Sequence, residues 1–331
     1  MKPIIGITIG DFNGIGPEVA LKSITTAKVQ KSIQPVLIGS FEIFQHYVKL
    51  FKSPAILVPV DSLRDKWKPG TIPVLTVHPV STKNLQIGKN APDAGVCAGM
   101  AIERAIKLCM EKEIDAMVTA PVSKEALHFA GYNFPGQTEM LAMLTRSERV
   151  TMMLISTAMR VALATVHIPI KKVSENLFID RIIEKLNTVH SSLKNDFGIV
   201  KPSIAVLGLN PHAGENGQIG SEELEIIIPS VKKANEQGIN AAGPFPADGF
   251  FASQAYKNYD AILAMYHDQG LIPLKMSGFD EGVNFSAGLK IIRTSPDHGT
   301  AFNIAGKNKA NPGSMISAIE LATTIIEQRK S

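Results

Sequence analysis

Three of the eight histidines in this chain of 331 residues come just after apolar runs: His167 in ATVHIP, His212 in GLNPHAGE and His267 in AMYHDQG. Neutral imidazoles ligate divalent metals, and three of them around an open coordination position form a catalytic zinc arrangement. Taken singly, each histidine reads more readily as a satisfied, partly buried residue than as a ligand. Separations of 45 and 55 residues exclude a finger-type structural site and put the three on separate elements. His46, His78, His128 and His190 lack this setting and read as surface or packing residues.

Beyond the third histidine lie Lys275 in GLIPLK, Asn284 in GVNFSAGL and Arg293 in IIRTSPDHG. Arginine clamps anions bidentately and lysine offers a movable charge, so this run suits a small phosphorylated or carboxylated substrate. The plain alternative is a solvated face. Asp248, in GPFPADGFF, stands among bulky apolar neighbours, a costly place for an idle carboxylate. GDFNGIGPE, from Gly10 to Glu18, joins an apolar run to a helical pattern, where many proteins hold a dinucleotide phosphate. Its glycines at 10, 14 and 16 do not make G-x-G-x-x-G, and the next strand ends in Gly39 and Ser40 instead of a ribose-binding acid. A plain tight turn reads as well.

The elements that must position these residues alternate along the chain. Short β-branched runs (IIGITIG, PVLIGS, AILVPV, IPVLTV, DAMVTAPV, TMMLIS, RVALATVHIPI, SIAVLGLN, DAILAMY) are separated by helical periodicity, as in 94–112, 175–193 and 222–237. Asn311-Pro312 is an N-cap followed by a proline and starts a last helix through about Glu327. This predicts an α/β architecture, and in such sheets the carboxyl ends of strands line the ligand crevice, where the three histidines would converge.

Composition narrows the partners. With 45% apolar and 19% charged residues, the chain is globular and long enough for two domains. A net charge of +4 without long basic runs argues against a nucleic-acid partner. Cys97 and Cys109 fit no metal or redox spacing and read as reduced packing residues. No apolar run reaches the length of a membrane span and no leader is evident, which predicts a cytoplasmic protein.

Taken together, GDFNGIGPE, VTAPVSKEA, FPGQTE, NPHAGE, GPFPAD, YHDQGLIPLK and TSPDHGT resemble the 4-hydroxythreonine-4-phosphate dehydrogenase family of the pyridoxal phosphate (vitamin B6) pathway, over essentially the whole chain. The resemblance implies an isocitrate/isopropylmalate dehydrogenase-like fold, with two α/β domains around a central cleft. The cofactor-side domain is expected at 1–125 and 290–331, the metal and dimerisation domain at 126–289. That fold binds a dinucleotide without the Rossmann fingerprint. His298 to Pro312 resembles the segment by which isopropylmalate dehydrogenases hold the adenosine half of NAD, which assigns His298, Ala301, Asn303 and Asn311 to NAD or NADP. Asn303 stands where the pattern has a ribose-binding aspartate, which puts discrimination against NADP in question.

By the same resemblance His167, His212 and His267 hold one divalent metal per site, zinc first, with magnesium, manganese or cobalt as alternatives. His267 is expected from the partner subunit of a homodimer. Gln137, Thr138, Lys275, Asn284 and Arg293 match substrate-binding positions. Gln137 replaces the usual histidine of FPGHTE and cannot carry charge. The implied reaction oxidises a secondary alcohol and decarboxylates the β-keto acid, with Lys275 the first candidate base and Asp248 the second. Rival readings are a dehydrogenase of D-threonate or D-erythronate 4-phosphate, a metal-dependent hydrolase or lyase, and a silent metal- or nucleotide-binding protein.

Overall fold

The computed structural model describes residues 2–64, 67–134, 136–278 and 281–330, so Pro135 of FPGQTE lies outside the described residues. The chain divides into two compact units, residues 1–147 with 290–327 and residues 148–289 with 328–331. The first runs through β1 (Ile4–Thr8), α1 (Gly16–Ile24), α2 (Ala27–Ser32), β2 (Gln34–Gly39), α3 (Phe41–Phe51), β3 (Leu57–Val60), β4 (Ile72–Thr76), α4 (Pro92–Met110), β5 (Ala116–Thr119), α5 (Lys124–Phe129) and α6 (Gln137–Thr145). The second holds β6 (Thr151–Ile155), β7 (Arg160–Leu163), α7 (Ile179–Asn195), β8 (Ser203–Leu207), α8 (Ile228–Glu236), β9 (Asn240–Phe245), α9 (Ala247–Ala252), β10 (Ala261–Ala264), α10 (His267–Ser277) and β11 (Val283–Ala287). The chain then returns to the first unit with β12 (Arg293–Pro296) and α11 (Gly313–Lys330).

In the first unit the strand order is β3-β4-β2-β1-β5-β12, and every pair is parallel. Parallel strands are covered on both faces and read as unbroken apolar runs; Ile5, Ile7, Val36, Leu37 and Val118 are all fully buried. In the second unit the order is β11-β6-β7-β10-β8-β9, with β6 antiparallel to both neighbours and β7, β10, β8 and β9 parallel. The carboxyl ends of those four adjacent strands therefore share one edge. Their core joins Leu154, Val161, Leu163, Leu207, Ile262 and Leu274 to an aromatic group in which Phe245 stacks on Phe250 at 5.2 Å.

The α/β class is as the sequence predicts, and each apolar run contains a strand. The helix predicted over 222–237 instead begins as one π-helical turn, Glu223–Ile227, before α8. Residues 126–147 lie with the first unit. The cause is close packing on α4: a Cβ built at Gly95 would sit 1.8 Å from Ala126 O, and one at Gly99 would sit 2.1 Å from the Tyr132 ring. Those glycines bind α5 and its following turn to the first unit. Cys97 and Cys109 are free thiols, both on α4, and burial pushes each up to about 12.

Candidate active site

The histidine loops leave the shared edge of the second unit in order. His167 follows β7, His267 opens α10 after β10, and His212 follows β8. Hydrogen bonds stitch these loops together. Thr165 donates from N (3.2 Å) and Oγ1 (2.7 Å) to Met265 O, joining the ends of β7 and β10. Gln269 accepts from Met265 N at 2.7 Å and donates to Gly208 O at 2.6 Å, joining β10 to β8. Glu222 accepts from Ser174 Oγ at 2.6 Å and Asn210 Nδ2 at 2.7 Å, bonds that hold its carboxyl below the usual range.

The imidazoles themselves are arranged unequally. The rings of His167 and His267 lie 5.7 Å apart. His267 Nδ1 is 2.7 Å from Asp268 Oδ1. A carboxylate only accepts, so the proton of the neutral ring sits on Nδ1 and the Nε2 lone pair is left for a ligand, the pattern of a metal-binding histidine. Yet among the described residues no three histidine, cysteine or acidic side chains of one chain form a metal-holding group. The expected convergence of three imidazoles therefore does not occur within a single chain. Adjacent parallel strands place His267 beside His167 within the chain.

His212 stands in an unusual loop. Residues 212–216 all have positive φ: 53° at His212, 51° at Ala213, 81° at Gly214, 44° at Glu215 and 54° at Asn216. A left-handed residue other than glycine costs about 1–2 kcal/mol, so surrounding contacts must hold this turn. Glu223, 1% exposed, is one of them. Its Oε1 accepts from Leu209 N (2.7 Å) and Asn210 N (2.8 Å), and its Oε2 accepts from Asn210 Nδ2 (2.8 Å).

Lys275 is half-buried on α10, eight residues beyond His267 and so about 12 Å along the helix axis. Asn284, in β11, has its Oδ1 buried without a hydrogen-bond partner among the described residues, a group that a bound ligand would satisfy. Asp248 corrects the sequence reading. It is exposed in the first turn of α9, while Phe250 beside it enters the core, so the apolar neighbours do not desolvate the carboxylate.

The first unit holds the remaining candidate substrate positions, Arg293, Gln137 and Thr138. Arg293 is its first β12 residue, in register with Met117, and only 2% exposed. Its Nε and Nη2 donate to Thr119 Oγ1 at 3.0 and 2.7 Å, and Nη2 also donates to Gln137 Oε1 at 2.7 Å. Burial lowers the guanidinium to about 10, leaving it a cation at neutral pH. Gln137 and Thr138 open α6, whose N-cap Gly136 offers no side-chain acceptor, so the positive end of the helix suits an anion. Thr119 escaped the sequence reading; its place at the end of DAMVT, before the turn-forming APV, was the available signal.

His298, Ala301, Asn303 and Asn311 lie on the loop between β12 and α11. Ala301 is left-handed, with φ 43°. Asn303 is exposed, and its carbonyl accepts from Lys307 Nζ at 2.8 Å. Asn311 Oδ1 caps Gly313 N at 2.9 Å. GDFNGIGPE is buried beneath this loop. Ile15 N donates to Thr300 O at 2.9 Å, Ala310 N to buried Glu18 Oε1 at 2.7 Å, and Lys22 Nζ to Asn308 O and Ala310 O at 3.2 and 2.9 Å. A Cβ at Gly14 would sit 2.7 Å from Thr300 O. The motif thus serves as the seat of the loop between β12 and α11, and its glycines permit backbone contact where a phosphate cradle would have left open space.

Comparison with known proteins fits an α/β enzyme with this distribution of groups. The family model described as "Pyridoxal phosphate biosynthetic protein PdxA" matches residues 31–322. A 4-hydroxythreonine-4-phosphate dehydrogenase of Trichlorobacter lovleyi is 40% identical over 332 residues, 99% of each chain. A D-threonate 4-phosphate dehydrogenase of Cupriavidus necator is 43% identical over 331 residues, covering 97% of this chain and 98% of that one. The crystal structure of 4-hydroxythreonine-4-phosphate dehydrogenase from Klebsiella pneumoniae superposes with a TM-score of 0.87 at 40% identity, covering 98% of this chain and 100% of that one. These relatives are all dehydrogenases named for small phosphorylated acids. This chain belongs to the PdxA family.

Proposed function

We propose that the chain oxidises 4-phosphohydroxy-L-threonine to 2-amino-3-oxo-4-phosphooxybutanoate, which loses carbon dioxide to give 3-amino-2-oxopropyl phosphate, in pyridoxal phosphate biosynthesis. Full-length identity to relatives of that activity carries this reading. The histidine loops on one sheet edge and the buried Arg293 fit it.

His167, His212 and His267 would hold a divalent ion, zinc first, and His298, Ala301, Asn303 and Asn311 the adenosine half of NAD or NADP. When bound, the ion supplies Lewis acidity at the substrate's alcohol and ketone oxygens, and the nicotinamide accepts the hydride. The chain's own groups do the rest. Arg293, with Gln137 and Thr138 at the start of α6, binds an anionic group of the substrate. Asn284 Oδ1, without a partner among the described residues, accepts a hydrogen bond from the substrate. Lys275 takes the hydroxyl proton; exposed Asp248 is the second candidate.

We read the enzyme as a homodimer with the metal site at the subunit interface, as the resemblance implies. Apolar side chains around the histidine loops support it: Ile170 is 72% exposed, Ile272 58% and Met276 84%. No helix among the described residues is long and apolar enough to cross a membrane, and we place the enzyme in the cytoplasm.

A second reading, oxidation of D-threonate 4-phosphate, is favoured by the 43% identity to the enzyme of that name and by neutral Gln137. Steady-state kinetics with both phosphorylated acids tests the two. The first reading predicts the higher kcat/KM with the amino acid, and a higher value with the sugar acid would replace it by the second.

A further inference from the structure

Glu223 touches none of the candidate ligands, and the chemistry above does not use it. Even so, it is a carboxylate 1% exposed that accepts three hydrogen bonds, all from Leu209 and Asn210, the two residues just before Pro211-His212. Its oxygens also bound the strained turn from inside. A Cβ at Gly214 would lie 2.7 Å from Oε2, and one at Gly208 would lie 3.2 Å from Oε1. Glu223 is itself the first residue of a π-helical turn, a local irregularity that concentrates at functional sites.

We propose that Glu223 is a positioning residue for His212. Its buried carboxylate anchors the backbone at 209–210, so that the left-handed residues 212–216 hold the imidazole where it ligates the divalent ion. The proposal rests on the reading of His212 as a metal ligand. Without the anchor, the turn relaxes toward right-handed backbone and the imidazole leaves its place, although no bond between Glu223 and the metal is involved. Outer supports of this kind typically change metal affinity 10- to 100-fold.

The test is zinc affinity of the purified full-length protein, by competition with a chromophoric chelator, for wild type, Glu223→Gln, Asn210→Ala and His212→Ala. Hydrogen exchange at Leu209 and Asn210 provides a second readout. Glu223→Gln keeps the shape but places an amide against donors. Its zinc Kd should rise at least about tenfold, with faster exchange at both amides, while the unfolding midpoint of the metal-free protein stays within a few degrees. Asn210→Ala removes only the side-chain bonds and should weaken zinc several-fold; it decides the matter if Glu223→Gln does not fold. Unchanged zinc affinity in the folded variants, with His212→Ala impaired, overturns the positioning role and leaves the metal site standing. Equal zinc binding by wild type and His212→Ala overturns both.

Discussion

Arg293 Nη2 donates to Gln137 Oε1 at 2.7 Å while the same guanidinium grips Thr119 Oγ1 at 2.7 and 3.0 Å. A buried cation is tolerated only where acceptors surround it, and here the Gln137 amide and the Thr119 hydroxyl are among them. The guanidinium is thus held in a fixed place at the start of β12.

Gln137→Leu removes one of these acceptors. The expected loss is about 1–3 kcal/mol of stability, the usual cost of a buried charged donor left short of a partner, with a raised KM for the phosphorylated substrate. Thr119→Val removes two contacts at once and should cost at least as much. Urea unfolding beside steady-state kinetics checks both; a Thr119→Val protein as stable as wild type would show that the guanidinium does not depend on this network.

Asp11 is 1% exposed, and burial pushes it up to about 6 from 3.8, opposed by the backbone N–H groups of Asn13 and Gly14. The folded state therefore binds the proton more tightly than the unfolded chain. The contribution of this group is most favourable below about pH 4, declines as pH rises to about 6, and stays low above that. Two pKa units correspond to about 3 kcal/mol. Asp11→Asn keeps an acceptor for Asn13 N. The unfolding free energy of wild type minus variant should fall by that order between pH 4 and 6.5 and be level beyond; a difference independent of pH would contradict it.

Gly10 has φ 67°, and a Cβ there would lie 2.4 Å from Pro121 O, whereas Gly70, with φ 83°, has nothing within 4 Å of such an atom. Gly70→Ala should cost about 1 kcal/mol for conformation alone. Gly10→Ala adds overpacking and should cost about 2 kcal/mol more. Gly14→Ala, pressed on Thr300 O, should also weaken dinucleotide binding. Thermal unfolding and dinucleotide titration separate these outcomes.

Neutral Asn303, with Lys307 folded onto its carbonyl at 2.8 Å, repels no 2′-phosphate. NADP should therefore serve within about tenfold of NAD, and Asn303→Asp should depress kcat/KM for NADP at least about tenfold through like-charge repulsion. Unchanged discrimination in the variant would remove residue 303 from cofactor choice.

The fold was legible wherever burial on both faces made strands into apolar runs. The strands of NAAGPF, VNFSA and RTSP were not, because glycine, proline and polar residues interrupt them. Polarity hid β12 because its buried Arg293 is committed to Thr119 and Gln137, so the residues that do chemistry broke the pattern used to find strands. The three histidines were visible as residues after strands, but sequence spacing does not contain the pairing of His167 with His267. The left-handed turn at His212 was equally hidden, since only Gly214 and Gly217 mark it and four of the residues it strains carry side chains. The exposure of Asp248 was hidden too, because helix α9 turns its aromatic neighbour inward and the carboxylate outward.

The most direct measurement is nicotinamide reduction by the purified, metal-loaded protein, given 4-phosphohydroxy-L-threonine or D-threonate 4-phosphate, with NAD or NADP, before and after chelation. Chelator-sensitive reduction with the amino acid phosphate is expected, restored by zinc and absent in His212→Ala. Turnover that survives both chelation and His212→Ala, or no reduction with either acid, would contradict that expectation.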